Sequence, residues 1–172
     1  MTTEHRFDES LPRGHAGERA VAMYLQSRGH VVAYVTEAHR QRLGMDLEVT
    51  TPGGDRLTVE VKTDYRAGQT RRAFIEAISN VEGHRMGWAF TCRAQFLAIY
   101  VPADGDIYWL RPYDLATACG PWTEKHLVVH ARNRCPDGST YTTRGVAVPL
   151  EALRLVALRV DRINEPLTGA TP

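Results

Sequence analysis

Lysine is scarce in this chain. Lys62 and Lys125 are the only two among 172 residues, although Lys and Arg together number 21. Arginine therefore carries nearly all the positive charge, and arginine does not replace lysine where a compact, titratable ammonium is wanted. Cysteine is rare as well. Cys92, Cys119 and Cys135 make an odd count with no Cys-x-x-Cys pair, which argues against a disulfide framework or a zinc ribbon and fits a reducing compartment. No stretch approaches the ~18 apolar residues of a membrane helix. The opening segment MTTEHRFDESLPRG has no apolar signal core, so the expectation is a cytoplasmic protein with no membrane partner. A net charge of +1 excludes a globally basic surface. Any contact with nucleic acid must come from local clustering. With no internal repeat and no low-complexity linker, the length suggests one domain: a flexible arm at 1–12, a domain over 13–160 and a tail at 161–172.

What is present is a succession of short periodic segments. A helix is expected from about Arg13–His15 to Arg28, with Gly29 as its stop. Val21, Ala22 and Leu25 lie three, four and seven positions after Glu18, so this acid shares their apolar stripe. Strands are expected at 30–36, 45–50, 56–62, 73–78, 94–101, 107–110, 126–131 and 142–148. A short helix is expected at 112–118, ended by Gly120-Pro121, and another at 150–158 behind Pro149. This mixture predicts an α/β domain with a central mixed sheet flanked by helices.

The stretch GMDLEVTTPGGDRLTVEVK, residues 44–62, reads as a β-hairpin. Met45, Leu47 and Val49 alternate with Asp46 and Glu48, and Val59 and Val61 alternate with Glu60 and Lys62. Asp46 and Glu60 share a face only if the loop holds an odd number of residues, centred on Gly53. A regular two-residue Gly-Gly turn would put them on opposite faces. Two carboxylates ~4 Å apart repel by roughly 4 kcal/mol at an effective dielectric of 20. A divalent cation relieves that repulsion. Mg²⁺ takes hard oxygen ligands, usually a few carboxylates with water and substrate oxygens, and Mn²⁺ can substitute. Asp46 and Glu60 suit it, with the Val61 carbonyl as a third oxygen. Lys62 can orient or help deprotonate an attacking water and stabilise developing negative charge. The pattern therefore points to a metal-dependent phosphodiesterase. The plainer alternative is a solvated hairpin face, since half-exposed antiparallel strands alternate in the same way.

Glu18 on a helix, Asp46 in GMD and Glu60-Val61-Lys62 in VEVK together resemble the PD-(D/E)xK nuclease superfamily. The helix–strand–strand order and spacing are similar to its Holliday-junction resolvase branch and to small phage nucleases. The stretch TRRAFIEAI resembles the segment after the core motif in some phage members, which makes Glu76 an additional candidate acid. The likeness is specific over about residues 14–78 and loose over 85–153. Met45 stands where proline is common in the superfamily. The resemblance implies a restriction-endonuclease-like fold, Mg²⁺-dependent cleavage of duplex or branched DNA, and Asp46, Glu60 and Lys62 as the core catalytic residues, with Glu18 joining them.

Arg40 and Arg42 just before Asp46, and Arg66, Arg71 and Arg72 just beyond Lys62, are the candidate phosphate contacts. Paired cuts on two strands would favour a homodimer. His126 and His130 are four apart but within a strand, which is poor zinc geometry. Two other functions remain open from sequence alone: a nuclease-like DNA-binding protein without turnover, and a protein-interaction domain.

Overall fold

The computed structural model describes residues 3–135 and 137–163. The chain opens with β1 (Thr3–Arg6), which leads directly into α1 (Phe7–Ser27). The first twelve residues were expected to form a loose arm. Residues 3–6 instead pair in parallel with a strand near residue 131, and the helix runs through Pro12. Proline removes an amide donor from a helix interior, which is why the sequence pattern stops short of it. Where α1 ends, the amide of Gly29 donates to the Gln26 carbonyl at 2.9 Å and that of His30 to the Leu25 carbonyl at 3.2 Å. Gly29 has φ +83°, so this is the glycine-dependent stop the sequence announces.

Next come β2 (Val31–Tyr34), the single turn α2 (Ala38–Gln41), β3 (Leu47–Thr50) and β4 (Arg56–Thr63). After α3 (Ala67–Thr70) come β5 (Arg72–Asn80), β6 (Arg85–Met86) and α4 (Trp88–Thr91). The remainder is β7 (Phe96–Val101), β8 (Asp106–Leu110), α5 (Pro112–Lys125), β9 (Leu127–Arg134), β10 (Thr140–Pro149), α6 (Leu150–Val156) and β11 (Arg159–Arg162). The short elements α2, α3, β6 and α4 stand where no helix or strand was expected, and α5 and β11 depart further. The helix α5 continues through Gly120-Pro121 because Leu115, Cys119 and Trp122 form one buried stripe across the proline, and that burial outweighs the lost backbone bond. The strand β11 occupies the start of the expected tail. It pairs with β8, and Arg162 Nε bonds the buried Asp106 at 2.6 Å. Residues 164–172 of that tail lie outside the described residues.

The class is the one expected: a mixed α/β fold with a central mixed sheet flanked by helices. The central sheet has the order β11-β8-β7-β4-β3-β2. Its β2–β3 and β3–β4 pairs are antiparallel, and β4 pairs in parallel with β7. One face lies under α1, where Val21, Ala22 and Leu25 pack with Leu47, Val49, Val59 and Val61. The helix sits so close that a Cβ on Gly17 would fall 1.7 Å from Thr63 Oγ1. The other face carries Leu97, Ile99, Tyr108 and Leu110. It packs with Ala73 and Ile75 of β5, Val146 and Val148 of β10, and residues of α4, α5 and α6. Those two strands belong to a second sheet, ordered β1-β9-β10-β5-β6. Among the described residues no helix is long and apolar enough to cross a membrane.

Candidate active site

The hairpin has the phase its chemistry requires. Leu47 faces Val59 and Thr50 faces Arg56, leaving residues 51–55 as a five-residue loop. The Thr51 amide donates to the Asp55 carbonyl and the Gly54 amide to the Thr51 carbonyl, both at 2.9 Å. Gly54 takes φ +90°, which glycine adopts without strain. The regular ladder ends at Leu47. Asp46, one residue before β3, gives its amide to the Val59 carbonyl at 2.9 Å, and its Oδ2 accepts the Val61 amide at 2.8 Å. The amide and carbonyl of one strand residue point to the same edge. The Val61 carbonyl is therefore directed past the end of β3, to the side where Asp46 lies. Because the ladder stops there, alternation stops too. Met45 packs with the core on the far side of the sheet from Leu47 and Val49, whereas the sequence pattern put the three on one face.

Glu60 is 3 % exposed. Its Oε1 contacts Lys62 Nζ, and among the described residues no donor reaches its Oε2. Burial pushes the Glu60 carboxyl up to about 7, opposed by the Lys62 charge and reinforced by Asp46. For Lys62 burial pulls downward, but Glu60 first, then Asp46 and Glu76, hold the ammonium above its ordinary value. Glu76 thus joins the same electrostatic group. It sits on β5, its Oε1 accepts the Trp88 amide at 3.3 Å, and burial raises its pKa against that bond and against Lys62.

Two supporting residues escaped the sequence reading. Gly44, at φ +73°, leaves room for Glu60: a Cβ there would come 3.1 Å from Glu60 Oε2 and 3.2 Å from Cys92 Cα. Asp64 accepts the amides of Arg66 and Ala67 on Oδ1 and that of Phe74 on Oδ2, all at 2.9 Å. One carboxylate therefore ties the end of β4 to the start of β5, and with it Lys62 to Glu76. The signal was available, since an Asp just ahead of a helical turn is a capping pattern.

Glu18 stands elsewhere. Its carboxylate pairs with His15 Nδ1 at 3.2 Å. The helix that carries it covers the Val59 and Val61 face, while Glu60 and Lys62 alternate to the other face. Of the candidate phosphate contacts, Arg40 is bonded to Glu48 at 2.5 Å and lies 3.8 Å from Glu37. Arg71 is paired with Asp104 at 2.5 Å, and Arg72 donates to the Ala147 carbonyl at 3.4 Å. Arg42 and Arg66 carry no ion pair among the described residues.

Among the described residues no three His, Cys, Asp or Glu side chains group as a metal cage. What the site offers is a smaller set: two adjoining carboxylates, one with an orphaned buried oxygen, and a strand-edge carbonyl. These are hard oxygen donors of the number Mg²⁺ ordinarily takes from protein, so the set fits such an ion.

No protein-family model matches the chain. No curated protein matches it. Among solved structures it is similar to a bacterial homing endonuclease, I-Ssp6803I, with 19% identity and a TM-score of 0.47 over 60% of this chain and 70% of that one.

Proposed function

We propose that the chain is a metal-dependent DNA endonuclease of the PD-(D/E)xK type, hydrolysing phosphodiester bonds in duplex or branched DNA. The observation that carries this reading is the buried Glu60 oxygen that no donor reaches among the described residues, beside Asp46 and a lysine. Leaving a carboxylate oxygen buried and unpaired is costly, and a structural carboxylate would have no reason to keep it so. Asp46, Glu60 and the Val61 carbonyl would hold Mg²⁺, with Mn²⁺ able to substitute. When bound, such an ion polarises phosphoryl oxygens and lowers the pKa of water.

The chain's own groups divide the remaining work. Lys62 keeps its proton at neutral pH because Glu60, Asp46 and Glu76 raise its pKa. It therefore serves as a fixed donor toward negative charge developing on the phosphate. Glu76 supplies part of the field that holds it charged. Arg42 and Arg66 flank the hairpin and its following loop with guanidiniums available to flanking phosphates.

The test is to incubate wild type and Lys62→Ala with duplex, single-stranded and four-way-junction DNA, with Mg²⁺ and then with EDTA. Cleavage lost both in the variant and in EDTA is the expected result, and preference for the junction would identify branched DNA as the substrate. Binding without cutting would replace the proposal with a DNA-binding protein lacking turnover. Neither binding nor cutting would leave a protein-interaction domain. Paired cuts on the two strands would require two copies, measurable by sedimentation on the DNA.

A further inference from the structure

Neither β9 nor β10 contains Asp or Glu, while together they carry His130, Arg132, Arg134 and Arg144. Their antiparallel register sets Arg144 opposite His130, Thr142 opposite Arg132 and Thr140 opposite Arg134. Alternation therefore places all six on one face. On that face His130, Arg132, Arg134, Thr140 and Arg144 are exposed, whereas Ala131 and Thr143 on the opposite face are buried.

Like charges set across from one another on a sheet destabilise it, so this grouping calls for a counter-anion. The described side chains supply little. Among the described residues none of the three guanidiniums is ion-paired with a carboxylate. Arg132 Nη2 donates to the Thr140 hydroxyl at 3.4 Å. Two neighbouring acids are occupied. Glu82 accepts the Thr142 amide at 2.8 Å. That bond chiefly holds its carboxyl below the usual range, with the Arg132 charge a minor contributor. Asp137, in the turn between the strands, is taken up by the Ser139 amide and hydroxyl. Glu4 occupies the register position beside Arg132 on β1. By contrast Arg40, Arg71 and Arg162 are each bonded to an acid.

Alternate residues on a strand repeat every ~6.6 Å. His130, Arg132 and Arg134 thus form a row of basic groups with threonine hydroxyls beside it. Arginine and threonine are common donors to phosphate oxygens, and a linear row of them fits a linear polyanion.

We propose that this face of β9 and β10 binds the phosphodiester backbone of DNA at a stretch separate from the bond being cut. The proposal rests on the DNA reading above. In β10, Gly145 lies opposite Glu76 while Arg144, one residue earlier, lies opposite Ile78. Ile78 and Glu76 alternate to one face of β5, so Arg144 shares that face with Glu76, and the basic row runs on along β9 and β10 away from it. The face would grip a second segment of DNA.

The experiment measures the affinity of the full chain for a labelled duplex of about 30 base pairs, roughly three helical turns, in EDTA across a salt series. Triple Arg132→Gln, Arg134→Gln, Arg144→Gln should lower the slope of log affinity against log salt by about 2.7, from ~0.9 per phosphate contact. The advantage of wild type over that variant then shrinks about 40-fold between about 50 and 200 mM salt. The corresponding Arg→Lys triple should keep the wild-type slope, which separates charge from any folding defect. A Gln triple at Arg19, Arg56 and Arg111, exposed elsewhere, should also keep it.

An unchanged slope in the β9–β10 Gln triple overturns the proposal, as does an equal loss in the control triple. Cleavage of DNA with an unchanged slope would sink this proposal and leave the nuclease reading standing. A slope lost as expected, in a protein that never cuts, would sink the nuclease reading and keep the basic face. No affinity for DNA under any condition would sink both.

Discussion

Replacing Glu60 with Gln should stabilise the metal-free protein, and the gain should grow with pH. The wild-type carboxyl is held at about 7, against an ordinary 4.5, chiefly by burial. A folded-state pKa above the unfolded one means that the protonated form favours folding. That stability is fully present below about pH 4.5 and is lost as the pH rises through about 7. At about 1.4 kcal/mol for each pH unit between the two values, the full loss lies between about 3 and 4 kcal/mol. Glutamine mimics the protonated acid and has nothing to lose. Urea melts in EDTA should therefore give nearly equal stabilities near pH 4.5 and a lead for Glu60→Gln of about 3 kcal/mol near pH 8. In a domain of this size that is about 6–12 °C in melting temperature. Glu76 also has a raised pKa, but it is present in both proteins. In wild type the Lys62 contribution is lost only above its ordinary 10.5, outside the window; in Glu60→Gln its first support is gone and burial pulls its pKa down, which adds to the variant's lead as the pH rises. A lead that stays constant from pH 5 to 8, or that turns into a deficit as the pH rises, would refute the reasoning, because Glu60 would then ionise more easily folded than unfolded.

Millimolar Mg²⁺ should raise the wild-type melting temperature at pH 8, by an amount equivalent to about 2.7 kcal/mol at a hundredfold excess over its dissociation constant. Asp46→Ala should abolish that increment, and an identical response in the variant would remove Asp46 from the ligand set. Gly17→Ala should destabilise by about 1–3 kcal/mol in urea melts through overlap with Thr63, although the same change in an open helix stabilises by up to ~1 kcal/mol. A more stable variant would contradict the close approach of α1 to β4. Asp64→Ala should cost about 2–4 kcal/mol through three orphaned amides. Asp64→Asn, which keeps one acceptor oxygen, should lose about half as much and should speed hydrogen exchange at Phe74 before Ala67.

The hairpin was legible because everything that defines it is local. Alternation fixed the faces of β4, while the residues left the loop odd or even, and the β3–β4 register makes it five. What escaped depends on distant partners. Residues 3–6 become a strand because residues 131–134 offer an edge, and nothing within the first twelve residues encodes that offer. Pro121 stays inside α5 because Trp122 is buried in a core assembled from β5, β7 and β10. The strand β11 exists because Asp106, 4 % exposed, takes Arg162 at 2.6 Å and Arg154 at 3.7 Å. The basic face was hidden for the same reason. His130, Arg132 and Arg134 alternate along β9, but Arg144 joins them only through the β9–β10 register.

The fate of the two outlying acids follows from sheet geometry. Glu18 and Glu76 were both read as acids within apolar patterns, and periodicity alone ranks Glu18 higher, because a helical stripe of four residues is the stronger pattern. The sheet reverses that order. The helix carrying Glu18 packs on Val59 and Val61, so the pleat that lets α1 cover β4 also turns Glu60 and Lys62 away from it. Glu76 arrives on the far side by way of β5, whose Ala73 and Ile75 pack against the face that Glu60 and Lys62 share with Leu97 and Ile99. Asp64 sets that approach by clamping the Phe74 amide two residues before Glu76. An acid three elements from Lys62 in the helix direction is thus farther from its chemistry than one fourteen residues downstream. The separation that decides membership is measured across the sheet, and only the strand pairing reveals it.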